Sequence, residues 1–317
     1  MGVPFEHVLV TGGAGFIGSQ LLLGLLPLSR KITVIDDCST GRRDLVPTSD
    51  NVTFIEASYI KEELLDGVLP EVTHIYHLAC RNLVMSVQQT DEDFRVNLYG
   101  GYLLLKKARE RCSRLQRFVY TSTASVYGNA QHLPTPEHYY QTTIPYAASK
   151  LSMEHYCQVF VHMHQLPVTV LRLSNVYGPG QLTSNPYCGV VAKFFEAARN
   201  GQPFRIYGDG TQTRDYTYVE DAIAALLAAG THPDAVGHVF NIGTGVETSV
   251  NALAYMVADS CGIAHPIFDY QPKRPVDVVY RRCLDPTAAR NILGWSAKTN
   301  LREGLLKTRR WMEGNVP

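Results

Sequence analysis

Two tyrosines in this chain stand four residues ahead of a lysine: Tyr146 before Lys150, and Tyr102 before Lys106. On a helix that spacing puts both side chains on one face. A tyrosine can take the proton of an alcohol once a neighbouring cation draws its pKa toward neutrality, so either pair is a candidate base for oxidising a carbinol. Company separates them. The run Phe118-Val119-Tyr120-Thr121-Ser122 has a strand pattern and ends in a hydroxyl cluster, Thr121-Ser122-Thr123, ahead of Tyr146, whereas nothing similar precedes Tyr102. Ligands of parallel α/β sheets sit outside the carboxyl ends of the strands, which is where Thr123 would hydrogen-bond a substrate oxygen. Thr123, Tyr146 and Lys150 therefore form the candidate catalytic group, and Tyr102 with Lys106 reads as a helix-surface pair.

An alcohol oxidised in this way needs a hydride acceptor, and Thr11-Gly12-Gly13-Ala14-Gly15-Phe16-Ile17-Gly18 offers a place for one. Glycines between a strand and a helix let the backbone turn tightly and approach a pyrophosphate, whose charge then meets the free N–H groups and positive dipole end of the helix. Two registers fit, Gly13-x-Gly15-x-x-Gly18 and Gly12-x-x-Gly15-x-x-Gly18. The context is that of a dinucleotide site: a strand pattern precedes the glycines, Phe16 opens a helical one, and Asp36 closes the next strand. Asp36 can accept hydrogen bonds from the adenosine ribose and would repel a 2'-phosphate, which selects NAD over NADP. Arg42 and Arg43 read as a solvated loop.

These residues need a scaffold, and the first half of the chain supplies the pattern of one. Strands are predicted at 7–11, 32–36, 52–55, 74–78, 118–122 and 168–173, with helices at 16–26, 91–111 and 146–164. Nearly continuous apolar strands alternating with helices imply an α/β doubly wound parallel sheet of Rossmann type, covered on both faces. After about Asn175 the texture changes, with Pro179, Gly180, Pro186, Gly189, Gly201, Pro203, Gly208 and Gly210 punctuating shorter elements. The expected division is a dinucleotide-binding domain over 1–174, completed by a late strand near 238–242, and a smaller α/β substrate lobe over 175–317.

Composition limits the function classes. Lys plus Arg (29) cancels Asp plus Glu (29), so no global field draws the chain to nucleic acid or an acidic membrane. Any phosphate must be held locally. The seven cysteines are an odd number without C-x-x-C pairing, so neither a zinc site nor a redox centre is expected, and reduced thiols in a cytoplasm are the simplest reading. The segment Met1-Gly2-Val3-Pro4-Phe5-Glu6-His7 lacks the regions of a signal peptide, and the apolar stretch 21–28 is too short to span a bilayer.

Together, Thr11 to Gly18, His77-Leu78-Ala79, Asn97, Thr121-Ser122-Thr123-Ala124-Ser125-Val126-Tyr127-Gly128, Tyr146-x-x-x-Lys150 and Asn175-Val176-Tyr177-Gly178-Pro179-Gly180 resemble the extended short-chain dehydrogenase/reductase family of nucleotide-sugar epimerases, dehydratases and decarboxylases. The match runs in order along almost the whole chain. The resemblance implies Thr123, Tyr146 and Lys150 as the catalytic triad, Gly12, Gly15, Phe16, Ile17, Gly18 and Asp36 as cofactor residues, and Leu78 and Ala79 approaching the cofactor through their backbones. Where the family commonly has Gly-Asp after the third strand, this chain has Glu56-Ala57-Ser58-Tyr59, so Ser58 is expected in place of the Asp.

A nucleoside diphosphate needs cationic clamps, and the planar donor fork of Arg matches phosphate. Arg214 and Arg274 correspond to the family's diphosphate positions, Asn175 and Asn185 to its substrate contacts, with Asn185-Pro186-Tyr187 in the loop over the nucleotide and Asp277 facing a ribose or sugar hydroxyl. After Thr123 the 4,6-dehydratases typically carry Asp-Glu and many glucuronate decarboxylases Ser-Glu. This chain has Ala124-Ser125, which points to a 4-epimerase of a UDP-hexose such as UDP-glucose or UDP-galactose. The alternative is a UDP-glucuronate 4-epimerase or decarboxylase, with Arg81, Arg281 or Arg282 pairing the sugar carboxylate, although a surface or phosphate-side arginine is the preferred reading of each. A silent NAD-binding scaffold is a remote third reading, since such relatives usually lose the Tyr or Lys. Cys80 and Cys188 border the site and are given no chemistry. The resemblance also implies a homodimer built on helices 91–111 and 146–164.

Overall fold

The computed structural model describes residues 4–183, 185 and 188–314. Its first half alternates β1 (Phe5–Thr11), α1 (Phe16–Leu25), β2 (Ser29–Asp36), β3 (Val52–Glu56), α2 (Glu62–Val68), β4 (His74–His77), α3 (Leu83–Gln88), α4 (Thr90–Asp93), α5 (Gly101–Arg111), β5 (Arg117–Thr123), α6 (Pro145–His164) and β6 (Val168–Leu173). There follow β7 (Asn175–Tyr177), α7 (Val190–Arg199), β8 (Phe204–Tyr207), β9 (Thr213–Arg214), β10 (Tyr216–Tyr218), α8 (Val219–Thr231) and β11 (Val239–Ile242). The chain closes with β12 (Thr248–Ser249), α9 (Val250–Ser260), β13 (Phe268–Gln271), α10 (Thr287–Leu293) and α11 (Leu301–Met312).

Seven strands form one parallel sheet in the order β11-β6-β5-β4-β1-β2-β3. Connections run one way from β1 through β2 and β3 and the other way from β4 onward. The crevice between β1 and β4 is therefore the topological switch point at which such sheets bind ligands. Consecutive residues Val8, Leu9 and Val10 are all fully buried, because helices cover both faces. On one side β1 and β2 pack with Leu21 and Leu22 of α1, Leu226 of α8 and Ala289 of α10. On the other, Leu65 of α2, Leu104 of α5 and Met153 of α6 enclose Ile75 and Phe118. The residues of α8, β11 and α10 thus share a core with the amino-terminal half. A separate apolar cluster unites Phe194 of α7, Phe204 of β8, Leu253 of α9 and Leu305 of α11.

The predicted helix 91–111 is not one α-helix. Between α4 and α5 the backbone widens into a π-helical stretch, Phe94–Gly100. This stretch presents Asn97, whose Oδ1 accepts the Arg81 N–H at 2.7 Å while its Nδ2 donates to the Arg81 carbonyl and to Asp93. Gly100 and Gly101 are needed where it meets its neighbours: a Cβ would stand 2.6 Å from the Tyr59 hydroxyl and 2.7 Å from the Met153 sulfur.

Candidate active site

The turn from β1 into α1 opens a crevice of about 360 Å³ along the carboxyl end of the sheet, reaching from Asp36 to Lys150. Its three spaced glycines answer to different demands. Gly12 takes φ +77°, and a Cβ there would strike the Ala79 backbone at 2.5 Å. A Cβ on Gly18 would stand 2.1 Å from the Gly12 carbonyl. Both are glycine because the fold requires it. Gly15 has an ordinary backbone and only the Gly12 carbonyl near its missing Cβ, at 3.4 Å, so its bare face opens onto the crevice. It stands at the N-terminus of α1 with no side-chain cap, leaving the first helical N–H groups for a ligand. Those features fit a dinucleotide pyrophosphate.

Asp36 closes one end of the crevice. Its Oδ2 accepts the Ala14 N–H and its Oδ1 the Cys38 N–H, each at 2.9 Å, which fixes the carboxylate while leaving lone pairs toward the cavity. Burial pushes its pKa up, and the two N–H bonds oppose that shift. Ser58, Leu78 and Ala79 line the same wall, with Leu78 held by its N–H to the Thr11 carbonyl. Phe16, Ile17 and Gly18 line the floor.

Thr123, Tyr146 and Lys150 meet at the other end. The Thr123 oxygen accepts the Ser125 N–H at 3.1 Å, which leaves its proton free to donate. The Tyr146 hydroxyl lies close to Thr123 and Cys80; burial pushes its pKa well up, and Thr123 pulls the other way. Lys150 is buried, with its Nζ 4.5 Å from the centre of the Tyr120 ring, and burial draws its pKa down. Two networks hold this helix in place. Ser149 donates to Asp93 at 3.1 Å. One turn beyond Lys150, Glu154 takes the Arg172 guanidinium at 2.6 Å and the Ser122 hydroxyl.

On the substrate side, Arg214, Arg274 and Asp277 lie within electrostatic reach of one another. Arg274 and Asp277 form a two-pronged ion pair at 2.7 and 2.8 Å, with the guanidinium 4.6 Å from the Tyr207 ring centre. Asp277 thus faces Arg274 rather than open space. Arg214 donates to the carbonyls of Thr213, Val279 and Tyr280. Asn175 starts β7, its N–H bonded to the Asp215 carbonyl. Asn185 lines an adjoining depression with Gln181 and Arg42, away from Thr123. Pro186 and Tyr187 lie outside the described residues. Of the three arginines considered for a sugar carboxylate, Arg281 pairs with Glu247 and Arg81 with Asp37 and Glu92. Arg282 is buried, and its side chain has no hydrogen-bond or ion-pair partner among the described residues.

Sequence reasoning set Cys80 at the border of the site without giving it chemistry, and passed over Tyr120 and Glu154. Glu154 was within reach of it, since it repeats the four-residue step from Tyr146 through Lys150 on the same helical face. The contacts of Cys80 and Tyr120 depend on strand packing that no spacing reveals.

A parallel doubly wound sheet with an open glycine turn at its switch point and an acid ending β2 defines a Rossmann-type dinucleotide enzyme. A sequence model of the NAD dependent epimerase/dehydratase family matches residues 8–243, and the chain belongs to that family. It is 37% identical to the UDP-glucose 4-epimerase of Mycolicibacterium smegmatis over 95% of this chain and 97% of that one. Among solved structures it is similar to the UDP-glucose 4-epimerase of Thermotoga maritima with UDP-glucose, at TM-score 0.90 and 35% identity, covering 98% of this chain and 100% of that one. It is also similar to the Thermus thermophilus UDP-glucose 4-epimerase in complex with NAD, at TM-score 0.88 and 34% identity, covering 98% and 100%. The chain is thus an NAD-dependent nucleotide-sugar enzyme of the short-chain dehydrogenase/reductase class. No helix among the described residues is long and apolar enough to cross a membrane.

Proposed function

We propose that this enzyme is a 4-epimerase of UDP-hexoses. The observation that carries the reading is the chemistry available beside Tyr146. Among the described residues, the carboxylates lining the crevice are Asp36 and Asp37, both at the end away from Thr123. A 4,6-dehydratase needs acid and base groups for C5 and C6, and Ala124-Ser125 supplies neither. The two UDP-glucose 4-epimerases to which the chain is similar in structure support the same reading.

NAD, when bound, would supply the acceptance and return of a hydride at C4. Gly12, Gly15, Gly18 and the first turn of α1 would hold its pyrophosphate, Asp36 its adenosine ribose, Ser58 its adenine side, and Leu78 and Ala79 its flank. Tyr146 takes the proton of the sugar O4 and gives it back after the 4-keto sugar has presented its other face. Thr123 donates to O4 or to the Tyr146 phenolate, favouring the charged form of the base. Lys150 sits on the same helical face and stabilises that phenolate. Arg214 and Arg274 take the diphosphate, Arg274 exchanging part of its bond to Asp277 for it, and Asn175 and Asn185 contact the substrate.

Incubating the purified protein with UDP-, dTDP- and GDP-sugars and resolving products by NMR tests the reading. Inversion at C4 with no accumulation of NADH or free keto sugar is expected. A released 4-keto or 6-deoxy product overturns it. Phe94, Tyr99, Tyr156, Val159 and Met163 are exposed apolar side chains on the π stretch and α6, which supports a homodimer through these helices. Sedimentation showing only monomer at micromolar concentration would refute the dimer.

A further inference from the structure

The cations on the substrate side differ in one respect. Arg214 spends its guanidinium on main-chain oxygens, Arg274 on Asp277, Arg281 on Glu247, and Arg81 on Asp37 and Glu92. Arg282 spends its on nothing. It is 8% exposed, its side chain donates no hydrogen bond and forms no ion pair to any described residue, and its Nε is buried without a partner. A largely buried guanidinium with no anion beside it is costly to a fold. Burial and Arg214 both push its pKa down, to about 9, and Tyr146 acts the other way.

Position indicates which anion would relieve this. Leu284, two residues on, packs with Ala124, Val126 and Tyr127 from the turn after Thr123 and with Leu151, which follows Lys150. The Cys283 carbonyl accepts the Thr135 N–H at 2.8 Å, so the segment is fixed against the catalytic end of the sheet. That segment brings Arg282 within electrostatic reach of both Tyr146 and Arg214. A sugar with its C4 hydroxyl at Tyr146 and its diphosphate at Arg214 would bring its ring within reach of the Arg282 side chain. The carbon next to C4 bears the exocyclic C6, the hexose position at which a carboxylate occurs, and a planar guanidinium matches a carboxylate in two-pronged fashion.

We propose that Arg282 is a specificity-determining residue that anchors a C6 carboxylate, so that the preferred hexose of this enzyme is a uronate. The proposal rests on the 4-epimerase reading and names its sugar. It is tested by measuring kcat/KM for UDP-glucuronate and UDP-glucose, together with calorimetric binding of both and of UDP alone, on the NAD-loaded wild type and on Arg282→Met and Arg282→Lys. A buried charge pair left without one partner is the expected lesion in Arg282→Met, so its preference for UDP-glucuronate falls by about 100-fold, mostly through KM, with partial recovery in Arg282→Lys. Equal losses for UDP-glucuronate, UDP-glucose and UDP would assign Arg282 to the diphosphate and overturn the proposal. A wild type that favours UDP-glucose, a result needing no variant to fold, overturns it as well. If neither sugar is inverted at C4 but UDP-glucuronate binding still depends on Arg282, the carboxylate anchor stands and the 4-epimerase reading falls.

Discussion

The chain writes the same Tyr-x-x-x-Lys step on two neighbouring helices, and the structure puts the copies to different uses. On α6, Tyr146 faces the crevice beside Thr123 and Cys80, and Lys150 is buried against the Tyr120 ring. On α5, Tyr102 packs edge-on against Tyr156 at 5.3 Å and Phe160 at 6.2 Å, with no strand end in front of it. Spacing alone makes a helical face. Chemistry comes from which strand terminus that face meets, and β5 ends at Thr123 beneath α6 alone.

The sharpest way to break this contrast is to remove each hydroxyl in turn. Tyr146→Phe is expected to lower turnover by about 10³-fold, the range of a lost general acid–base group, while NAD stays bound. Tyr102→Phe keeps turnover within about twofold, since an aromatic edge contact survives the change. Steady-state assays with cofactor content measured on the same preparations check both. Comparable losses in the two variants would show that the α6 pair has no special standing.

The lysines give the next largest difference. Lys150→Met is expected to cost about 100-fold in kcat/KM, the lower part of the general acid–base range, and Lys106→Met little. Burial holds the Tyr146 hydroxyl above its ordinary pKa, so the protonated form dominates at neutral pH and its basic form grows as pH rises. The rate of the wild type therefore climbs with pH until Lys150, whose pKa burial lowers, gives up its charge. Without that cation the ascending limb moves to higher pH. A limb that stays in place in Lys150→Met would remove Lys150 from the proton chemistry.

How far the sequence alone reached follows from the kind of information each feature carries. The glycine turn and Asp36 were legible because they obey local rules of backbone and charge. Yet the two glycine registers were equivalent until φ at Gly12 and the close approach of Ala79 distinguished them. The strands read from the first half correspond to β1 through β6, most clearly in β1 and β6, which are buried along nearly their whole length and largely apolar. The helix over 91–111 was legible as a helix but not as an interrupted one, because the π stretch holding Asn97, and Asp93 just ahead of it, answer to partners on α3 and α6. The lone state of Arg282 was invisible for a related reason. Sequence counts three arginines near a carboxylate-sized question, and only packing shows that two of them are already engaged.

Thr123 sharpens the comparison further, as the one member of the group that Tyr102 lacks altogether. Thr123→Val preserves the shape of the side chain but removes a donor to a developing phenolate. A loss of about 10- to 100-fold in kcat/KM is expected, the value of a hydrogen bond to a charged group. Its pH profile should shift in the same sense as that of Lys150→Met, because both groups favour the ionised tyrosine.

The smallest expected effect probes how α6 is aimed. Ser149 lies between Tyr146 and Lys150 in sequence and donates to Asp93, which also receives Ser86 and Asn97. This knot ties the catalytic helix to the π stretch, so the position of Tyr146 depends on a network rooted in the helix that carries Tyr102. Removing one of several donors leaves Asp93 still bonded, so Ser149→Ala should cost about 1 kcal/mol of stability and only a few-fold in activity. Thermal unfolding and kcat/KM together decide the matter. If stability falls while kcat/KM is unchanged, the knot supports the fold without aiming the base. If kcat/KM falls with NAD affinity intact, the two helices act as one unit, and the inert pair on α5 is part of the frame that lets the pair on α6 react.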